Sequence, residues 1–231
     1  MAFLLVFIPV FAFADDVSNA SSVSDVSDVS SQAVVSDTSE PETEPVITSG
    51  NAIVVMSVET GQILLNTANG REVDPTCATK LMTAMLAFDM ANGLDNQVTV
   101  DAEALKNIGK KGDISAPMLG LRAGNTATVR QLLQATLISA ANDACNALAY
   151  SVSGGDIAGF VEKMNARATE IGCEHTYFTN TTGLYDGEAY TTVEDVAKIA
   201  AAFYRYNTLL DISSQPTYVI GGSTIHRKNY L

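Results

Sequence analysis

Asp74-Pro75-Thr76-Cys77-Ala78-Thr79-Lys80-Leu81-Met82-Thr83-Ala84 is the stretch on which the reading of this chain turns. Pro75 suits the first position of a helix, because the N–H it lacks would go unpaired there, and Asp74 before it offers a carboxylate to an orphan N–H of the first turn. A helix therefore starts here. Residues three apart share a helix face, so Cys77 and Lys80 stand one turn from each other, within range for an amine and a thiol to exchange a proton. A small buried Cys and a solvated Lys on an ordinary helix would show the same four-residue spacing, so the flanks have to decide between the two.

Upstream, residues 51–58 are β-branched and apolar, Glu59-Thr60-Gly61 supplies turn residues, and Gln62–Asn66 follows as a second strand. Downstream, the helix runs from residue 75 to about 91, Gly93 ends it, and Val98-Thr99-Val100 reads as a short extended piece. Residues 101–108 have the makings of one or two helical turns, and 109–124 of a loop. From Thr128 to about Val152 apolar residues recur at three and four residue steps with Ala between them, which predicts one long, largely buried helix interrupted by Asn142-Asp143. Ile157, Phe160, Val161 and Met164 stripe a further helix reaching about Ile171. Thr191 and Glu194 suit a capping box for a helix whose Val196, Ile199, Ala200 and Phe203 face inward. Residues 217–226 predict a hairpin turning at Gly221-Gly222.

The opening stretch resembles the S-x-x-K box of penicillin-interacting serine enzymes, and its setting, P-x-[nucleophile]-x-T-K-x-M-T-A, looks most like the D-alanyl-D-alanine carboxypeptidases of bacterial wall metabolism. Other landmarks fall in family order. The 51–66 hairpin is similar to the family's A-x-[IV]-[LV]-x-x-x-x-T-G-x-[IV]-L opening. Met118–Gly124 resembles its G-L-[KR]-x-G segment, and Gly172–Asp186 its L-G-x-x-x-T-x-F-x-N-P-[TS]-G-L-x-D loop. The family's second box, S-x-N followed by D-A, reads Ala140-Ala141-Asn142-Asp143-Ala144 here. Two motif serines are thus replaced, one by Cys77 and one by Ala140. Ser139 lies about 100° around a helix from its neighbour and does not stand in for the second. The third box, K-[TS]-G, does not follow residue 142, and the resemblance places it beyond Leu231, as in a C-terminally truncated member.

The resemblance implies a helix-rich α+β domain of the β-lactamase/penicillin-binding-protein-like transpeptidase fold with an incomplete antiparallel sheet. It implies a hydrolase that trims the terminal D-Ala of peptidoglycan stem peptides through an acyl-enzyme. Cys77 would be the nucleophile, Lys80 the base, and Asn142 both a catalytic residue and the holder of the substrate amide. No cofactor or metal is implied, and β-lactams would be covalent inhibitors. A degenerate wall-peptide binding module, keeping the cleft without the chemistry, is the second reading. A class A β-lactamase fits less well, since its second box reads S-D-N. A papain-like protease would need a catalytic histidine in a recognisable setting.

The 231 residues carry a formal charge of −13, distributed unevenly. Asp15, Asp16, Asp25, Asp28, Asp37, Glu40, Glu42 and Glu44 lie in a segment without Lys or Arg, rich in Ser and Val. Residues 15–49 read as an acidic, flexible linker, and 50–231 as the folded domain. Residues 1–14 are apolar and end in Ala12-Phe13-Ala14, like a secretory signal without its basic start. This places the protein outside the cytoplasm, secreted or associated with the envelope. Membrane contact is expected only through that segment or through an anchor beyond Leu231. With no basic cluster, nucleic acid is excluded as a partner. Cys77, Cys145 and Cys173 are too scattered, and His175 and His226 too few, for a zinc site. Cys145 and Cys173 read as packing residues, and His175 as a loop residue.

Overall fold

The structure, a computed structural model, describes residues 3–7, 52–110 and 116–227. The acidic segment 15–49 and most of the leader-like stretch lie outside the described residues. Strands β1 (Phe3–Phe7), β2 (Ile53–Ser57) and β3 (Ile63–Asn66) form an antiparallel sheet in that order. β1 runs along β2 in the register Phe3↔Ser57 to Phe7↔Ile53. An apolar run of this kind satisfies a sheet and a signal segment equally well, so composition does not separate them. The β2–β3 hairpin is as expected. Gly61, at φ +71°, closes its turn, and the register slips between Val55 and Met56. Val54 and Met56 face the core, as a period of two requires.

β4 (Glu72–Val73) leads into α1 (Thr76–Met90). Asp74 accepts from Thr76 N at 2.9 Å, so the expected carboxylate does meet an orphan N–H, with Pro75 one position earlier than anticipated. α1 is buried on nearly every side, including its polar Thr79, Lys80 and Thr83. A helix buried all round belongs at the centre of a domain, and α1 does: α2 to α5, described next, all pack on it.

The predicted long helix is two. α2 (Val129–Ser139) starts in a capping box, with Thr128 Oγ1 accepting from Gln131 N and Gln131 Oε1 from Thr128 N. It stops at Ala140, which adopts a left-handed φ of 51°. α3 (Asn142–Val152) then begins afresh. The competing interaction is the Asp143 carboxylate. It accepts from Leu119 N (3.1 Å), Gly120 N (2.7 Å), Leu121 N (2.8 Å) and its neighbour Ala144 N (2.9 Å). A carboxylate that gathers backbone N–H groups belongs in a helix's first turn, not its interior. Asp143 thereby ties the 117–121 loop to α3, and Asn142 N adds a bond to Pro117 O at 2.7 Å.

The remaining elements close the core around α1. β5 (Gln97–Thr99) pairs with β6 (Thr126–Thr128), and residues Glu103–Leu105 make a single 3-10 turn. α4 (Ile157–Glu170) buries Phe160 and Met164. β7 (Thr191–Thr192) pairs with β4 and so sets α5 (Val193–Phe203) beside the start of α1. The cap of α5 falls one residue later than the sequence implies: Thr192 Oγ1 accepts from Asp195 N. Glu194, expected in a capping box, reaches out instead to Asn66 Nδ2 (2.8 Å) and Gly70 N (2.9 Å). α6 (Asn207–Ser214), which the sequence reading did not anticipate, buries Leu209 and Ile212. The hairpin β8 (Thr217–Ile220) and β9 (Ser223–His226) turns at Gly221-Gly222, both at positive φ as a two-residue turn demands. The result is the helix-rich α+β architecture expected. No helix among the described residues is long and apolar enough to cross a membrane.

Asp143→Ala is expected to cost about 3 kcal/mol, since several partly buried N–H groups lose a charged acceptor at once. Chemical denaturation against the native protein measures it. A loss under ~0.5 kcal/mol would mean that water replaces the carboxylate without cost.

Candidate active site

The site is built where the first two turns of α1 meet the loop 180–184. Cys77 is exposed, whereas Lys80 is buried, at 8% relative exposure. The Lys80 amine donates to the Thr182 carbonyl at 2.6 Å. One turn further, Thr83 Oγ1 donates to Thr181 O at 2.7 Å, and Cys145 Sγ reaches the same oxygen from α3 at 3.1 Å. Two consecutive carbonyls of the loop therefore face the helices and are met by side chains from them. The N–H groups of Thr182 and Gly183 are satisfied from the other side. Asn180 Oδ1 accepts from Thr182 N, Thr182 Oγ1 and Gly183 N, while Asn180 Nδ2 donates to Leu184 O. Side chains thus meet several backbone polar groups of this turn, which eases the burial of a loop.

Gly183 is the point of closest approach. It lies at φ +72°, and a Cβ there would stand 2.6 Å from Thr76 O and 2.8 Å from Thr76 Cα. Only glycine lets the loop rest on the first residue of α1. The family's T-G-L pattern thus has a local physical meaning in this chain: the glycine seats the loop, and the residue before it presents its carbonyl to the lysine.

Burial lowers the pKa of Lys80, opposed by the charges of Cys145, Cys77 and Asp74. Cys145 is not a counter-ion at neutral pH, because burial holds its thiol at about 11 despite Lys80 and hydrogen bonds with Thr83 and Thr136. The amine is therefore a poor ammonium by position, held by one carbonyl and facing an exposed thiol one turn away. A lysine shifted in that direction more readily exists as the neutral amine, the form that can take up a proton.

Asn142, the third expected residue, begins α3 and is 1% exposed. Residues 142, 145 and 146 lie on one face of α3. On that face Cys145 lies in the field of Lys80, and Asn146 Oδ1 accepts from Thr181 Oγ1 at 2.6 Å. Asn142 thus belongs to the side of α3 turned toward α1 and the loop, although no hydrogen bond among the described residues joins it to Cys77 or Lys80. Its Nδ2 is committed to Ile108 O at 3.0 Å, while its Oδ1 is buried and has no partner among the described residues. A buried carbonyl oxygen without a partner is an exception among buried polar groups.

Sequence reasoning missed Thr182 and Cys145 as neighbours of the lysine. Thr182 acts through its backbone carbonyl, which no residue-type pattern records. Cys145 is a packing residue as expected, buried like Cys173, and all three thiols are free. Ala140 is exposed and has no hydroxyl to offer, and the adjacent Ser139 bonds Tyr218 at 2.8 Å instead. His175 is held in its loop through its own N–H to Asp195.

Residues 37–229 match the model of peptidase family S11, described as D-alanyl-D-alanine carboxypeptidase. Among curated proteins, the chain is 29% identical over 156 residues to the D-alanyl-D-alanine carboxypeptidase DacF of Bacillus subtilis, covering 68% of this chain and 39% of that one. It is 29% identical over 166 residues to DacB2 of Mycobacterium tuberculosis, covering 71% and 54%. The chain thus spans between about two fifths and just over half of these relatives' length. Among solved structures, penicillin binding protein 6B from Escherichia coli superposes with a TM-score of 0.68 at 27% identity, over 77% of this chain and 57% of that one.

Two outcomes follow from the geometry. Gly183→Ala is expected to destabilise the fold by about 1–3 kcal/mol and to separate the Thr182 carbonyl from Lys80. Thermal unfolding reports the first and a crystal structure of the variant the second; an unchanged Tm would mean the approach to Thr76 is loose. For Lys80, the folded pKa lies below the unfolded value of 10.5. Burying the ammonium opposes folding in full below the folded pKa. That opposition fades as pH rises through the window up to 10.5, where the unfolded chain holds the extra proton. The stability difference between native protein and Lys80→Met should therefore rise with pH in that window, and a flat difference would contradict the burial.

Proposed function

The chain belongs to the D-alanyl-D-alanine carboxypeptidase family, peptidase family S11, and on that premise we propose that it is a D-alanyl-D-alanine carboxypeptidase-type hydrolase acting through an acyl-enzyme on Cys77. Its substrate is the stem peptide of peptidoglycan, met outside the cytoplasm, and β-lactams would acylate the same thiol. The observation that carries this reading is the buried Lys80 amine, held on the Thr182 carbonyl with its pKa lowered, one helical turn from an exposed thiol.

Lys80 takes the thiol proton of Cys77, and the sulfur adds to the carbonyl carbon of the penultimate D-Ala. The C–N bond to the terminal D-Ala breaks as Lys80 returns that proton to the leaving nitrogen. Water then attacks the thioester, its proton passes to Lys80, and the thiolate departs. Asn142 Oδ1, buried and open, accepts an N–H of the bound peptide and fixes its orientation.

A fluorescent penicillin supplies the test: covalent labelling of the native protein and its loss in Cys77→Ala are expected. Labelling that survives the substitution would defeat the assignment of the nucleophile. The degenerate binding module draws support from Ala140, which carries no hydroxyl, and from the sulfur that stands where the family has an oxygen. Calorimetric binding of a stem peptide without D-Ala release would favour that module. Turnover regained by Cys77→Ser with Ala140→Ser would then locate what was lost.

A further inference from the structure

Two tyrosines beside the start of α1 have no part in the chemistry derived above. Tyr177 and Tyr190 exchange both backbone hydrogen bonds, Tyr177 N to Tyr190 O at 2.8 Å and Tyr190 N to Tyr177 O at 3.2 Å. Residues paired in this way point to one face of the ribbon. Their rings stack there, with centroids 6.0 Å apart and planes 28° from parallel. The residues next to them turn the other way: Phe178 is 1% exposed, and the hydroxyls of Thr176 and Thr191 meet at 2.8 Å. The inner face thus holds the ribbon to the core, while the outer face gives Tyr177 and Tyr190 to solvent at 46% and 42% exposure. Among the described residues neither phenol makes a hydrogen bond. A cross-strand aromatic pair contributes roughly 0.2–1 kcal/mol to a ribbon. That structural role is the rival reading, and position decides between the two.

β7 continues directly from Tyr190, and its pairing with β4 runs Glu72↔Thr192, Val73↔Thr191. One further step of that register sets Tyr190 opposite Asp74, whose carboxylate accepts from Thr76 N at the start of α1, three positions before Cys77. Tyr177, Tyr190 and Asp74 therefore make a row across three adjacent extended segments, and the row ends at the mouth of the candidate site. Two strand spacings put its far end roughly 10 Å from Asp74. The stack is also fixed in advance. The loop between Gly183 and Tyr190 is closed on itself by Asp186, whose carboxylate accepts from Thr179 Oγ1 and from the N–H groups of Glu188 and Ala189. A surface already ordered loses little freedom on binding.

We propose that Tyr177 and Tyr190 form a sugar platform, on which an N-acetylated pyranose of the glycan strand stacks while the stem peptide attached to it reaches Cys77. The proposal rests on the hydrolase reading above and adds the sugar to its substrate. An aromatic ring is electron-rich on its face, and one face of a pyranose presents a row of C–H bonds of slight positive charge. The two meet there, and the sugar's hydroxyls stay at the rim. The ligand is uncharged. The carboxylates of Asp74, Asp186 and Glu188 lie beside the stack in register or in sequence, all three exposed, and they repel an anionic chain while accepting hydrogen bonds from hydroxyls. The reach agrees as well. A few residues separate the sugar from the scissile bond, and three or four extended residues span roughly 10–14 Å. That matches a stack set one to two strand spacings, roughly 5–10 Å, beyond Asp74.

Two measurements on the full-length protein test this. In the first, a peptide-free oligomer of N-acetylglucosamine is titrated into protein carrying ring-labelled tyrosine, and the signals of residues 177 and 190 are assigned from Tyr177→Phe and Tyr190→Phe. Saturable shifts of those two rings are expected; their absence overturns the platform. In the second, D-Ala release from a free stem peptide is compared with release from the same peptide on its disaccharide. KM is expected to be ~10-fold lower for the sugar-bearing substrate, the worth of stacking on two rings, with kcat little changed. The difference should vanish in Tyr177→Ala with Tyr190→Ala, while fluorescent penicillin still labels Cys77, and should persist with phenylalanine at both positions, which keeps the ring faces. Equal KM values in the native protein, or a preference that survives the alanine pair, overturn the platform and leave the hydrolase standing. Shifts of the two rings without any D-Ala release leave the platform standing and overturn the hydrolase. Should the alanine pair fail to fold, the ring shifts and the native KM ratio decide. A dimer in sedimentation that is lost on replacing the tyrosines, with no response to the sugar, assigns the face to a second copy of this chain and overturns the platform.

Discussion

A lysine amine buried against a backbone carbonyl is the constraint around which this molecule is arranged. Lys80 Nζ and Thr182 O, 2.6 Å apart, join the central helix to a loop a hundred residues later in the chain. An ammonium removed from water is costly unless something holds it. Here the holder is a loop whose Thr182 and Gly183 N–H groups are taken up by Asn180, while the carbonyls of Thr181 and Thr182 point inward. Gly183 makes the approach possible and β4–β7 pairing brings the far end of the same loop back to the start of α1. Fold and site are one structure at this point.

The same arrangement tunes the chemistry. Burial lowers the pKa of Lys80 and raises that of Cys145, because the low-dielectric surroundings disfavour the charged form of each. Cys77 is exposed on the same helix. α3, which restarts at residue 142 instead of continuing from α2, contributes the face that carries Asn142, Cys145 and Asn146. Had residues 128–152 formed one helix, the Asp143 carboxylate could not have gathered the N–H groups of the 119–121 segment, and Asn142 would have had no terminus to stand at.

Much of this was legible from residues alone. Proline after aspartate placed the start of α1; spacing put residues 77 and 80 one turn apart; the β-branched apolar run of 51–58 and the Gly-Gly at 221–222 gave the two hairpins. These features depend on neighbours a few positions away, and local sterics and hydrogen bonding are sufficient to specify them. The break at Ala140, the cap at Thr192 and the errand of Glu194 to Asn66 and Gly70 were not legible. For Asp143 and Glu194 the polar side chain had a local option and a distant one, and the distant partner was chosen, while at Thr192 two neighbouring threonines offered the same local cap.

The amino-acid order by itself determined the helix-rich α+β class, the family pattern, and which side chains are candidates for nucleophile and base, because periodicity and residue type are written position by position. Tertiary structure alone decided that the lysine is buried, that its acceptor is the main chain of Thr182, that Cys145 is kept neutral, and that Asn142 offers an open oxygen instead of an amide N–H. Burial and backbone partners are properties of segments brought together across the chain. No residue announces them until the fold has removed it from water.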